Sequence, residues 1–445
     1  MNSLNLSHST HGLTPDFPQL IHIKFSSVCN SISGLFNSPK WVPNSHKKLS
    51  TFGKNSFGSK FNLGFSYECC NLGNFVDLVR AMSVEGFESS ENVDDGYYMR
   101  KSLELARNAL GCTSPNPMVG CVIVKDGKIV GQGFHPKAGM PHAEVFALRE
   151  AGELAENATA YVTLEPCNHH GRTPPCSEAL IKAKVKKVVV GMVDPNPIVS
   201  SRGIDKLREA GIEVVVGVEE ESCKKLNEAF IHRMLYGKPF VTLRYSISMN
   251  GEYSEQLGES VSNLGGYYSK LLQEYDAVIH SLTSMTQQWS FFSSQESNAR
   301  QPQHIFIAKN HDALSPVSNL PIEGDFMPIV FADKELPLEP QISHQGIEIV
   351  VLDHISLDVI LDYCSKQGFC NVLIDLKGKF DGLGEILVEG LEANLLQKVV
   401  VEILPYWVEN GVGSPLADMI LTHRKSLKNL STRISGNSVV LEGYF

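Results

Sequence analysis

His142-Ala143-Glu144, then Thr159-Ala160-Tyr161-Val162-Thr163-Leu164 running into Glu165-Pro166-Cys167, then Cys176: this stretch decides how the chain is read. One imidazole and two thiolates make three protein ligands and leave the fourth position of a tetrahedral zinc open for water. Zinc lowers the pKa of such a water towards neutrality, so a nucleophile is at hand. Glu144, two places after the histidine, is not a ligand in this arrangement. It is free to take a proton from the water and deliver it to a leaving amine. Each signal alone is weak, since His-x-Glu is common and paired cysteines inside a cell are more often buried thiols. A β-branched strand that delivers the first cysteine through a proline-fixed turn, with all the parts in this order, predicts a metal site at His142, Cys167 and Cys176.

That constellation resembles the zinc-dependent base deaminases, whose cysteines are more often separated by two residues. Here the interval is Asn168-His169-His170-Gly171-Arg172-Thr173-Pro174-Pro175, a loop held at both ends. Arg172 suits a phosphate or carboxylate through its planar donor fork. His169 or His170 could have served as third ligand, but His142 already has an acid–base partner beside it. Upstream lie Ser114-Pro115-Asn116-Pro117-Met118-Val119-Gly120, which by itself reads as a stiff turn before a strand, and Gly131-Gln132-Gly133-Phe134-His135.

Taken together, these segments resemble the deaminase of riboflavin biosynthesis closely over 95–237. Asp194-Pro195-Asn196-Pro197 and Gly203 fit the same pattern. The resemblance implies that His142, Cys167 and Cys176 bind zinc and that Glu144 shuttles the proton. It also implies that Asn116, His135, His169 and Arg172 contact the base, ribose or phosphate of the substrate. Many relatives have lysine where Arg172 stands. The implied reaction is hydrolysis of 2,5-diamino-6-(5-phosphoribosylamino)pyrimidin-4-one at its 2-amino group, giving the corresponding uracil and ammonia.

The 445 residues suffice for two or three units. Residues 1–80 read as a transit segment: the first 75 carry six lysines, no arginine and two acids. No run there spans a membrane, and the missing arginine favours a plastid over a mitochondrial address. A plain polar tail is the alternative. An acidic linker, 81–95, leads to a deaminase unit, 96–237, with its first helix over 97–110. Strands at 119–124, 128–134, 159–164, 186–191 and 212–216 alternate with helices opened near His142, Cys176 and Ile204, and a helix runs from about 220 to 233. That order is the expected cytidine-deaminase-like α/β/α sandwich. Helix starts at His142 and Cys176 would turn positive dipole ends to the metal site.

Residues 238–445 open with Pro239-Phe240-Val241-Thr242-Leu243-Arg244-Tyr245-Ser246-Ile247-Ser248-Met249-Asn250-Gly251. This resembles the first strand of the NADPH-dependent pyrimidine reductase, a dihydrofolate-reductase-like α/β domain. Further strands are expected near 276–280, 304–308, 328–332, 347–351, 371–375 and 398–404. The cofactor motifs have decayed. Asn250-Gly251-Glu252 replaces an Asp-Gly-Lys type turn, His280–Trp289 has no glycine, and Asp375-Leu376-Lys377 replaces Glu-Gly-Gly. Larger side chains obstruct the backbone's approach to a pyrophosphate. An intact deaminase joined to a silent reductase-like half resembles the plant plastid type, expected in the stroma. The competing expectation is a bifunctional deaminase and reductase.

The net charge of −10, with a basic first segment, disfavours a nucleic-acid partner. A small phosphoribosyl pyrimidine is the expected partner, with no membrane and with assembly as a homo-oligomer, a dimer. Ten cysteines without framework spacing suit a reducing compartment. A non-catalytic scaffold is the remaining class, disfavoured by the complete His142, Glu144, Cys167, Cys176 set.

Overall fold

In the computed structural model the described residues are 94–169, 174–197, 199–282, 293–297, 299–309, 327–333, 347–377, 382–409 and 425–445. All belong to one compact unit, Ser89–Phe445. The expected transit segment, 1–80, and all but the last two residues of the expected linker lie outside them.

The first half is built on a sheet of β1 (Gly120–Lys125), β2 (Lys128–Phe134), β3 (Thr159–Leu164), β4 (Lys187–Met192) and β5 (Glu213–Val216). Their order is β2-β1-β3-β4-β5, with β1 antiparallel to both neighbours and β3, β4 and β5 parallel. Successive residues of a strand face opposite sides, and each side has its own core. Cys121, Ile123, Ala160, Val162, Val188 and Val190 pack under α2 (Ala143–Ala151), α3 (Cys176–Lys182) and α4 (Arg202–Glu209). Val122, Tyr161, Val189 and Met192 pack under α1 (Asp95–Ala106) and α5 (Glu220–Leu226). This is the expected three-layer sandwich.

Two helix boundaries differ from expectation. α1 starts at Asp95, inside the expected linker, because Asp95 accepts from Tyr161 Oη (2.7 Å) and pairs with Lys187 (2.8 Å) on the sheet beneath. The single helix expected over 220–233 is two, α5 and α6 (Glu228–Tyr236). The break is Asn227, 2% exposed, whose side chain exchanges hydrogen bonds with Met118 N and Met118 O (2.8 and 2.9 Å) instead of facing solvent.

The second half is a larger, mainly parallel sheet. β6 (Phe240–Ser248), β8 (Ala277–Ser281), β9 (Gln303–Ala308), β10 (Ile329–Ala332), β11 (Glu348–Val351), β12 (Asn371–Asp375) and β13 (Lys398–Leu404) stand close to where the sequence places them. Their order is β11-β10-β9-β8-β12-β6-β13, continued by an antiparallel hairpin, β15 (Ser438–Tyr444) then β14 (Lys428–Ser435), with the short β7 (Tyr253–Ser254) beside β6. The hairpin was not expected, nor were α7 (Tyr267–Gln273), α8 (Leu357–Lys366) and α9 (Gly384–Glu392). In the middle of this sheet Arg244, fully buried, pairs with Asp375 (3.3 Å) and Glu402 (2.6 Å) and donates to the hydroxyl oxygen of Tyr267 (2.8 Å). No helix among the described residues is long and apolar enough to cross a membrane.

Candidate active site

The site forms at the carboxyl end of β3, where Glu165-Pro166-Cys167 leaves the sheet and meets the starts of α2 and α3. His142 is the N-cap of α2 and Cys176 is the first residue of α3. Both chains therefore enter a helix at the site and direct backbone N–H groups and positive dipole ends towards it. His142 Nδ1 lies 3.5 Å from Cys167 Sγ and 3.3 Å from Cys176 Sγ, and all three donor atoms fall within 4.8 Å of one another. A tetrahedral zinc with Zn–S of about 2.3 Å and Zn–N of about 2.0–2.1 Å needs S and N about 3.5–3.6 Å apart. Both N–S separations in the trio are close to that requirement.

The electrostatics suit a cation. The Cys167 thiol is pulled down to about 4 by hydrogen bonds from Cys176 and His142, against the opposing effect of burial. Cys176 N–H also donates to Cys167 Sγ (3.4 Å). The Cys176 thiol is pushed up by the same contact with Cys167 and by burial. Glu144 is 3% exposed, and burial together with the charge of Cys167 pushes its carboxyl up to about 7. A carboxyl balanced there can both accept and release a proton near neutral pH.

A cavity of about 380 Å³ opens on the trio, and Asn116, His135, Glu144 and His169 all line it. His135 Nδ1 is 3.0 Å from Pro141 O and its Nε2 is 3.1 Å from Asn116 Nδ2. A proton on Nδ1, donated to the carbonyl, leaves Nε2 to accept from the amide. Burial holds the His135 pKa below its usual value, in keeping with a neutral ring. Of the expected site residues, seven converge on this cavity or on the trio. Arg172 lies outside the described residues.

Sequence reasoning missed several walls. Phe230 and Met234 of α6 and Asp194, Asn196 and Val199 of the loop after β4 also line the cavity. Glu165, 6% exposed, organises that loop: its carboxylate accepts from Asp194 N (3.1 Å), Ser201 N (2.9 Å), Gly203 N (2.9 Å) and Ile204 N (3.3 Å). Gly203 comes so close that a Cβ there would stand 1.9 Å from Pro166 O. Gly203 was visible as part of a family pattern; a single glutamate after a strand gave no signal of its own.

Comparison with known proteins agrees with this geometry. The cytidine and deoxycytidylate deaminase zinc-binding region matches residues 92–192. Fold and site thus define a deaminase of that class joined to a reductase-like half. The chain is 58% identical over 362 residues to the chloroplastic riboflavin biosynthesis protein PYRD of Arabidopsis thaliana, covering 80% of this chain and 84% of that one. It is 38% identical to the riboflavin biosynthesis protein RibD of Escherichia coli, over 70% of this chain and 88% of that one. Among solved structures, a diaminohydroxyphosphoribosylaminopyrimidine deaminase/5-amino-6-(5-phosphoribosylamino)uracil reductase from Thermotoga maritima superposes with a TM-score of 0.65 at 28% identity, over 79% of this chain and 98% of that one. The chain belongs to the PYRD/RibD family of riboflavin biosynthesis proteins.

Proposed function

We propose that this protein hydrolyses 2,5-diamino-6-(5-phospho-D-ribosylamino)pyrimidin-4(3H)-one to 5-amino-6-(5-phospho-D-ribosylamino)uracil and ammonia. The observation that carries the reading is the trio of His142, Cys167 and Cys176, with His142, Cys167 and the buried Glu144 lining one cavity. His142, Cys167 and Cys176 would hold zinc, which when bound would supply a water acidified towards neutrality. Glu144 accepts a proton as the water oxygen adds to C2 of the pyrimidinone, then returns it to the 2-amino nitrogen. The C2–N bond breaks and ammonia leaves. Asn116 Nδ2, already turned to His135 Nε2, and His169 orient the heterocycle and ribose, and Arg172 takes the 5-phosphate. Phe230 and Met234 give the cavity an apolar wall and limit water beyond the reacting one.

The reductase-like half, 238–445, is read as silent towards NADPH, because side chains replace the cofactor-cradling glycines. Its edge strand β14, exposed almost throughout and with Leu430 and Ile434 on one face, supports assembly as a homodimer. The first 75 residues, lysine-rich and without arginine, and the chloroplastic relatives support a plastid stroma location. The bifunctional reading has in its favour that the Thermotoga relative is named for both a deaminase and a reductase activity. One experiment separates the two: product analysis of the purified protein given the diaminopyrimidinone ribosyl phosphate, with and without NADPH. Ammonia and the aminouracil with no NADPH oxidised support the deaminase reading. A reduced, ribitylamino product replaces it with the bifunctional one. No ammonia from zinc-loaded protein removes the substrate assignment.

A further inference from the structure

Asn116 reaches the cavity from a tight turn, its N–H donating to Thr113 O (2.8 Å). Its side chain meets His135, and His135 meets Pro141 O, directly before His142. The other end of the turn is held by the reductase-like half. Ser114 Oγ donates to Asp276 Oδ2 at 2.8 Å, across 162 residues of sequence. Asp276 is 4% exposed and immobilised. Its Oδ2 also accepts from Cys370 N (2.7 Å) and Asn371 N (3.1 Å), while its own backbone pairs with Asn371 O and Gln303 N. Asp276 is thus fixed at the start of β8, its carboxylate to the start of β12 and its carbonyl to the start of β9. Beside it, Cys370 Sγ donates to Pro115 O (3.8 Å).

What lies behind the turn makes this contact matter. A second cavity, of about 420 Å³, runs along the junction of the two halves and shares Asn116 and Phe230 with the first. Those two walls stand between two open spaces, so close packing cannot fix them from behind as it fixes a core residue. Specific attachments replace packing. For Phe230, the helix is tied down at Glu228, which accepts from Tyr444 Oη (2.8 Å) and pairs with Lys398 (3.8 Å). For Asn116, the attachments are Ser114 to Asp276 and Pro115 O to Cys370 on one side and Met118 to Asn227 on the other, and Ser114 to Asp276 is the side-chain link that reaches the reductase-like half.

We propose that Asp276, a residue of the reductase-like half, is a positioning residue of the deaminase pocket, fixing through Ser114 the turn that presents Asn116 to substrate. The inference rests on the reading of Asn116 as a substrate contact and gives the second half a task that needs no NADPH. It is tested in the full chain with S114A, D276A, D276N and the S114A/D276A double variant. Two readouts apply: steady-state deamination, and hydrogen–deuterium exchange of the amides in 114–119. S114A leaves Cys370 N and Asn371 N satisfied, so it carries the test even where D276A does not fold. The expected result is a KM raised about five- to tenfold in S114A with kcat within about twofold, and exchange over 114–119 faster by a similar factor. D276N, which keeps an accepting oxygen, stays within about threefold of wild type, and the double variant is no worse than D276A. Wild-type KM together with wild-type exchange in S114A overturns the proposal. Exchange needs no substrate, so a wild-type enzyme without turnover sinks the functional reading alone, while the exchange arm still decides this one.

Discussion

Replacing Glu165 by alanine takes the acceptor from four backbone N–H groups at once. Asp194 and Ser201 are half-buried and can turn to water, but Gly203 and Ile204 are buried. Their burial keeps bulk water from replacing the lost carboxylate. Two buried donors left without partners, at about 1–3 kcal/mol each, put the loss at about 2–6 kcal/mol. Glu165→Gln keeps one oxygen but sets its amide against two donors, for a smaller loss of about 1–2 kcal/mol. Because Asp194, Asn196 and Val199 line the cavity, the loosened loop also raises KM. The assay is urea unfolding of the zinc-loaded variants, with KM measured under native conditions. An alanine variant within about 0.5 kcal/mol of wild type, at unchanged KM, refutes the view that this carboxylate holds the loop.

Other consequences are equally direct. Glu144→Gln is expected to retain metal, measured by elemental analysis, and to lose kcat by about 10²–10⁴-fold, since the ligands stay and the proton carrier goes; wild-type turnover would remove Glu144 from the chemistry. Arg172→Ala is expected to raise KM for the phosphorylated substrate with little change in kcat, and an unchanged KM detaches Arg172 from the phosphate. Chelation is expected to expose Cys167 and Cys176 to a thiol reagent, with Cys167 the faster because its contacts favour the thiolate. Equal thiol counts before and after chelation would contradict metal ligation by these cysteines.

Much of the fold was legible because its signals are local. The β-branched runs Thr159–Leu164, Ala277–Ile279 and Asn371–Ile374 are fully or largely buried strands, as their composition requires. β14 was not legible: Lys428–Ser435 is exposed almost throughout, so no buried face imprints an alternation on it. The Gly436-Asn437 turn joining it to β15 was the available hairpin cue. Asn227 was invisible as a helix break because its partner, Met118, lies 109 residues away.

The sequence by itself determined the chemistry: an imidazole, two thiols and a carboxylate, whose identities limit what they can bind and which protons they can move. It also determined that the strands delivering them alternate with helices. Only the tertiary structure decided that Phe230 and Met234 wall the cavity, that Glu165 clasps the loop opposite, and that Asp276 of the second half reaches the turn bearing Asn116. Ligand type is a property of a residue, whereas a wall or a strut is a relation between residues far apart in the chain. Such relations leave no periodicity or spacing behind, because they join segments that meet only when the chain is folded.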